Sequence, residues 1–259
     1  MIEYAPPDMN LQRIFRRAYL YLPYGFSRIT GTGPFGPDGA EYIRGTIQTD
    51  GNPLKSALLK YHVKQFHGAS CSVATIVSVV NALRDGGTGD LGPITQMDIL
   101  EAVRTANWKE RMLDNNYKGR RGLPLSVLGD LVKSSLDAYE IEYKAVETVA
   151  ARKNSDESKK IRDVLWKRLF DFETRGNCLI IAHFDQGAYL PTLNVPHISP
   201  VGGFDPNTGN VVILDVDPDE EKPYKIGFDT FYKGLFSYGR RILRSAGFGG
   251  GYVYIRLRG

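Results

Sequence analysis

Cysteine is nearly absent from this chain, with two residues, Cys71 and Cys178, among 259. Two thiols cannot build a disulfide framework, which excludes the small stapled secreted scaffolds and makes a reducing cytoplasm the expected location. Long apolar runs are missing too. None approaches the ~18 to 20 residues that a membrane helix requires. The opening MIEYAPPDMNLQRIFRRAYL has no uninterrupted apolar core of the signal-peptide kind, so no membrane partner is expected. Nor does one sign of charge dominate: 33 basic residues stand against 29 acidic ones, for a net +4. The basic residues come as scattered pairs (Arg16-Arg17, Arg120-Arg121, Arg240-Arg241), not as a stripe, so no nucleic-acid partner is expected. A small anionic substrate suits the same balance. What is present is ordinary globular material, 42% hydrophobic and 24% charged, long enough for a sizeable core.

Residues 1–40 read as an N-terminal helix (Leu11 to Leu22) and a Gly/Pro-rich arm. The arm contains GTGPFG at Gly31 to Gly36, formally a dinucleotide fingerprint. Pro34 and Pro37 obstruct the helix that such a site needs, so it reads as a loop. From Glu41 onward a strand is expected to Thr49 and a short helix from Leu54 to Tyr61. In CSVATIVSVVNAL, polar residues recur at every third position (Ser72, Thr75, Ser78, Asn81) between apolar pairs. That period favours a helix stopped by Gly86-Gly87, with Cys71 at its N-terminus. Thr95 to Ala106, opened by a Thr-x-x-Asp cap, and Pro124 to Leu136, opened by proline, read as helices, as does Ser155 to Arg175, which ends at Gly176. The remainder is strand-like: Cys178 to His183, His197 to Phe204, Val211 to Val216 and Tyr252 to Leu257. Helices first and strands last predict an α+β fold with an antiparallel sheet.

A thiol at a helix N-terminus meets a partial positive charge and free amide donors, the setting that favours a nucleophilic thiolate. A buried core cysteine is the alternative for Cys71. His197 opens a strand from which a base can face a helix end. Asp215, in the next apolar strand, is the acid available to orient it, unless it is a strand-end carboxylate capped by backbone amides. Gln65, six residues before Cys71, can donate to an oxyanion together with the Cys71 amide, or it is a loop glutamine. His67 either lines the pocket or is solvated. Cys178 is expected in the core. Asp215-Val-Asp217-Pro-Asp219 opens like a calcium loop but continues with Glu220 at position six and Ile226 at position twelve. His62, His67 and Cys71 do not complete a zinc set, and no metal site is expected.

Taken together, Gln65-x5-Cys71, Asn81-Ala-Leu83, HISPVGGFD at His197 and ILDV around Asp215 resemble the phytochelatin synthase family of papain-like cysteine transpeptidases. RGLPLSVLGDLVKS at Arg121 to Ser134 and GNCLIIAH at Gly176 to His183 extend the likeness. The resemblance implies a papain-like fold, with the active-site helix packed on an antiparallel sheet and a catalytic domain over 41–259. It implies Cys71 as nucleophile, His197 as base and acid, Asp215 as orienting residue and Gln65 as oxyanion donor. Substrate contacts are implied at Ser70, Ser72, Gly202 and Gly203. The family breaks the Cys-Gly bond of glutathione and passes the γ-glutamylcysteinyl group to a second glutathione or to water. The partner implied is therefore glutathione or a related thiol peptide, with room for a homodimer. No cofactor is required, and cadmium or zinc enters only through the thiolate substrate. The chain departs from the family at Ser70, at Ser72, at Lys222-Pro223-Tyr224 and at Gly250-Gly251-Tyr252, where an Arg-Gly-Phe is usual. With no Cys-rich C-terminal region, mainly hydrolytic chemistry is expected. A peptidase or amidase with another substrate, and a non-catalytic binding module on the same scaffold, are the alternatives.

Overall fold

The computed structural model describes residues 39–49, 51–85, 92–119, 121–153, 156–190, 196–237 and 250–258. The expected N-terminal helix, the Gly31 to Gly36 loop and Gly86-Gly87 lie outside the described residues. Among the described residues, seven helices accompany a seven-stranded antiparallel sheet. The strands are β1 (Glu41–Tyr42), β2 (Tyr143–Ala150), β3 (Cys178–Asp185), β4 (Pro196–Asp205), β5 (Asn210–Ile213), β6 (Tyr224–Gly227) and β7 (Gly251–Leu257), in the spatial order β1-β6-β5-β4-β3-β7-β2. The helices are α1 (Pro53–Lys60), α2 (Cys71–Arg84), α3 (Gln96–Ala102), α4 (Trp108–Leu113), α5 (Leu125–Ala138), α6 (Asp156–Arg175) and α7 (Phe228–Ser237). No helix among the described residues is long and apolar enough to cross a membrane.

Local chemistry starts and stops these helices. Asn52 caps α1, accepting from the Lys55 amide at 3.0 Å, and Thr95 and Asp98 form a reciprocal capping box on α3. Pro124 stands at the cap of α5, one place before the helix proper. Gly176 ends α6 in a left-handed conformation (φ +59°) that a side chain would strain.

The polar stripe of α2 explains how a helix rich in β-branched residues is held in place. Residues Ser72 through Ala82 are all buried. Ser72 Oγ accepts from Trp108 Nε1 at 3.1 Å, and Thr75 Oγ1 donates to the Ile198 carbonyl at 3.0 Å. Ser78 Oγ accepts from the Val63 amide at 3.1 Å, while Asn81 both donates to and accepts from the Ile94 backbone at 2.8 Å. Each buried polar group thus fixes α2 to a different neighbour, which satisfies the group and sets the helix's rotation.

The sheet differs from the sequence expectation at its edges. The predicted strand Glu41 to Thr49 contracts to Glu41–Tyr42, because β6, its only ladder partner, has four residues and pairs through Tyr224 and Lys225 alone. Val211 to Val216 ends as a regular strand at Ile213, so Asp215 sits in the irregular, buried stretch that follows β5. The strand β2 and helix α7 were not anticipated. β2 covers the outer edge of β7 and carries only partly buried or exposed residues.

Candidate active site

Cys71 is the first residue of α2, half-buried and a free thiol. Its amide, at the first helical position, has no acceptor within the helix. The approach loop is locked by its own side chains. Ser70 Oγ accepts from the His67 amide at 3.0 Å and donates to the His67 carbonyl at 2.9 Å. His67 Nδ1 accepts from the Ala69 amide at 3.0 Å, so the ring proton lies on Nε2, which donates to the Met112 carbonyl at 2.8 Å. Both nitrogens of His67 are thus engaged, Nε2 tying the loop to α4 and Nδ1 tying the loop to its own backbone.

His197 stands on β4 opposite Phe184 of β3, whose ring meets it edge-on at 5.6 Å. The imidazole is buried. Its Nε2 lies 2.7 Å from Asp215 Oδ1, and the Cys71 thiol is near enough to act on the charge of the ring. With Nε2 facing Asp215, Nδ1 is the nitrogen left for sulfur. Burial opposes a charge on His197, but the Asp215 carboxylate, its hydrogen bond to the ring and the Cys71 thiol outweigh it and raise the pKa well above the ordinary histidine range. Burial likewise opposes charge on Asp215, yet His197, Tyr224 and the Asp217 amide hold its pKa well below the usual carboxylate range.

Asp215 is fully enclosed and fully partnered. Oδ1 accepts from the Asp217 amide at 2.9 Å as well as from His197. Oδ2 accepts from Tyr224 Oη at 2.7 Å and Gln186 Nε2 at 3.3 Å. The backbone on either side of the site is tied as well: Val216 donates to Ser199 Oγ at 3.3 Å and accepts from the Gln65 amide at 2.8 Å. Gln65 is 9% exposed, and its buried Oε1 has no partner among the described residues. A half-turn of the amide puts Nε2 in that place, so the side chain presents an unused polar end beside the segment that carries Asp215.

The residues expected to contact substrate have the following surroundings within the protein. Ser70 is wholly buried with its hydroxyl committed to His67, and Ser72 is buried against Trp108. At Gly202 a Cβ would meet the Leu214 side chain at 2.4 Å, and at Gly203 it would touch Val212 at 3.3 Å, so both glycines serve close packing of β4. Three site residues escaped sequence reasoning: Tyr224, Gln186 and Lys64. Tyr224 had a faint signal, in the Lys-Pro-Tyr remnant; Gln186, in a short 3-10 turn after β3, had none.

The remaining candidates carry no site. Cys178 lies in the core, its thiol pushed up to about 12 by burial. In the calcium-like stretch Asp217 Oδ1 accepts from the Asp219 amide, Asp217 Oδ2 accepts from Gln186, and Glu220 accepts from Tyr42 Oη at 2.6 Å. Among the described residues no cluster of three or more His, Cys, Asp or Glu is arranged to hold a metal.

A family model described as phytochelatin synthase matches residues 37–248 of the chain. No curated protein matches it.

Proposed function

The chain belongs to the phytochelatin synthase family, and from that membership we propose that it is a Cys-His-Asp enzyme that cleaves the Cys-Gly bond of glutathione or a related thiol peptide. The observation that carries the reading is the buried imidazole of His197, bonded through Nε2 at 2.7 Å to Asp215 and near enough to the Cys71 thiol to feel its charge.

In this reading the Cys71 sulfur attacks the carbonyl carbon of the cysteinyl-glycine bond with the thiol proton already held on His197. Asp215 holds the ring in the orientation that accepts it. The oxyanion is met by the Cys71 amide and the Gln65 side chain. His197 then returns the proton to the leaving glycine nitrogen, and a γ-glutamylcysteinyl thioester remains on Cys71. Water, or the amino group of a second thiol peptide, attacks the thioester with His197 as base, regenerating the free thiol. Cadmium or zinc enters only as the thiolate complex of the substrate.

The test is mass spectrometry of the protein incubated with glutathione, read together with glycine release. A γ-glutamylcysteinyl adduct on Cys71, absent in Cys71→Ala, is expected. Glycine release by a folded Cys71→Ala protein would overturn the nucleophile assignment. An inert wild-type protein whose Cys71 still alkylates rapidly below pH 8 would instead favour a peptidase or amidase with another substrate.

A further inference from the structure

Lys64 precedes Gln65 and takes no part in the steps above. Its ammonium donates to two main-chain carbonyls, those of Asp215 and Glu220, each at 2.6 Å. These carbonyls lie at the two ends of the 215–220 loop, so one side chain spans the segment that carries the aspartate. The Lys64 carbonyl accepts from Gln96 Nε2 at 2.8 Å, which anchors it to the first turn of α3. The next amide, that of Gln65, donates to the Val216 carbonyl at 2.8 Å. Two consecutive residues on the approach to Cys71 are thus bonded to two consecutive residues of the aspartate loop.

A lysine gives up rotamer freedom and hydration to sit half-buried, and a surface lysine has no need to do so. Burial pushes its pKa down, against the opposing pull of Asp215, Asp217 and Glu220. Two short bonds to carbonyls compensate for the lost water, and they are strong because the donor is charged.

We propose that Lys64 is a positioning residue that locks the 215–220 loop to the approach loop, so that the Gln65 amide and the His197–Asp215 pair keep a fixed mutual placement. The kinetic half of this inference rests on the roles given to Gln65 and Asp215 above; the structural half does not. Small displacements of such groups are costly, since a misplacement of about 1 Å can cost ~10^2-fold in rate.

Lys64→Met keeps most of the stem and removes both donated bonds. Hydrogen exchange read by mass spectrometry is expected to quicken by ~10-fold or more in peptides covering 62–67 and 214–221, with β3 and β7 unchanged. With glutathione as substrate, kcat is expected to fall by ~10- to 10^2-fold while KM stays within about twofold. In a Gln65→Ala background the same change should cost less than about twofold more, because the group it positions is already gone. Lys64→Arg, which retains charge and donors, should recover part of the rate, and Lys64→Leu, which also lacks both donors, replaces the Met variant in every arm should that one not fold. Unchanged exchange in both segments would overturn the lock. Faster exchange with fully multiplicative kinetic losses would overturn its action through Gln65. If the wild-type protein releases no glycine, the substrate reading fails, and the exchange arm still decides the lock.

Discussion

Thr75 Oγ1 donates to the carbonyl of Ile198 at 3.0 Å, which fastens the turn of α2 that follows Cys71 to the residue that follows His197. Thr75 is four residues on from Cys71 and so lies beneath it on the same helix face. This bond therefore helps to set the helix that carries Cys71 against the strand that carries His197. Thr75→Val preserves shape and leaves the buried carbonyl without its donor. A loss of about 1 to 3 kcal/mol in stability is expected, with a fall in kcat larger than any change in KM. Thermal unfolding and steady-state kinetics check both. Wild-type kcat in a destabilised variant would mean that the bond serves the fold alone.

Gln65→Ala removes a side chain whose polar end has no partner among the described residues, so the fold has little to lose. The rate should be reduced by ~10^2- to 10^3-fold in kcat, the usual effect of deleting one oxyanion donor. If only KM changes, Gln65 holds substrate and does not meet the oxyanion.

The ionic pair predicts how stability depends on pH. Asp215 is depressed in the folded state, so its contribution is present above the unfolded value of ~3.9 and is lost as pH falls through the folded value. His197 is raised, so its contribution is complete below the unfolded value of ~6.5 and is lost as pH rises through the folded value. The two overlap between about pH 4 and 6.5. Asp215→Asn should lower Tm most inside that window, with the gap narrowing on both sides. A gap that does not vary with pH would mean that His197 and Asp215 are not an ion pair.

Much of the site was legible because burial makes certain residues expensive. A carboxylate among strand hydrophobics at Asp215 and a threefold polar stripe in an apolar helix both demanded partners, and the structure supplies them. What was not legible depends on tertiary closure. Gln186 reaches Asp215 and Asp217 only because a 3-10 turn ends β3 beside the aspartate loop, and Lys64 meets that loop across more than 150 residues. A packing constraint at Gly202 and Gly203 is likewise invisible in sequence, because it is a distance: Leu214 and Val212 occupy the space that a side chain would need. The strand β2 was missed because none of its residues is fully buried and its alternation is weak.

The remaining prediction concerns the fate of the thioester. Transfer requires a second thiol peptide held beside it, and the arginine that the resemblance places before the last strand is Gly250 here. Its carbonyl accepts from the Ala151 amide at 3.0 Å, and at Gly251 a Cβ would come within 2.0 Å of the Val149 carbonyl, so the chain runs tight against β2. Lys225 does not replace that arginine: three strands separate β6 from β7, and alternation turns Lys225 to the face opposite Tyr224, where it pairs with Glu41 at 3.2 Å. Arg244 lies outside the described residues. With acceptor binding weakened, water competes for the thioester. Incubation with glutathione should then release glycine and γ-glutamylcysteine in near-equal amounts, with little oligomeric (γ-Glu-Cys)n-Gly even when cadmium is added. Chromatography of the thiol products measures the ratio. Abundant oligomers would show that the acceptor is held by other residues, while leaving the Cys71, His197 and Asp215 chemistry intact.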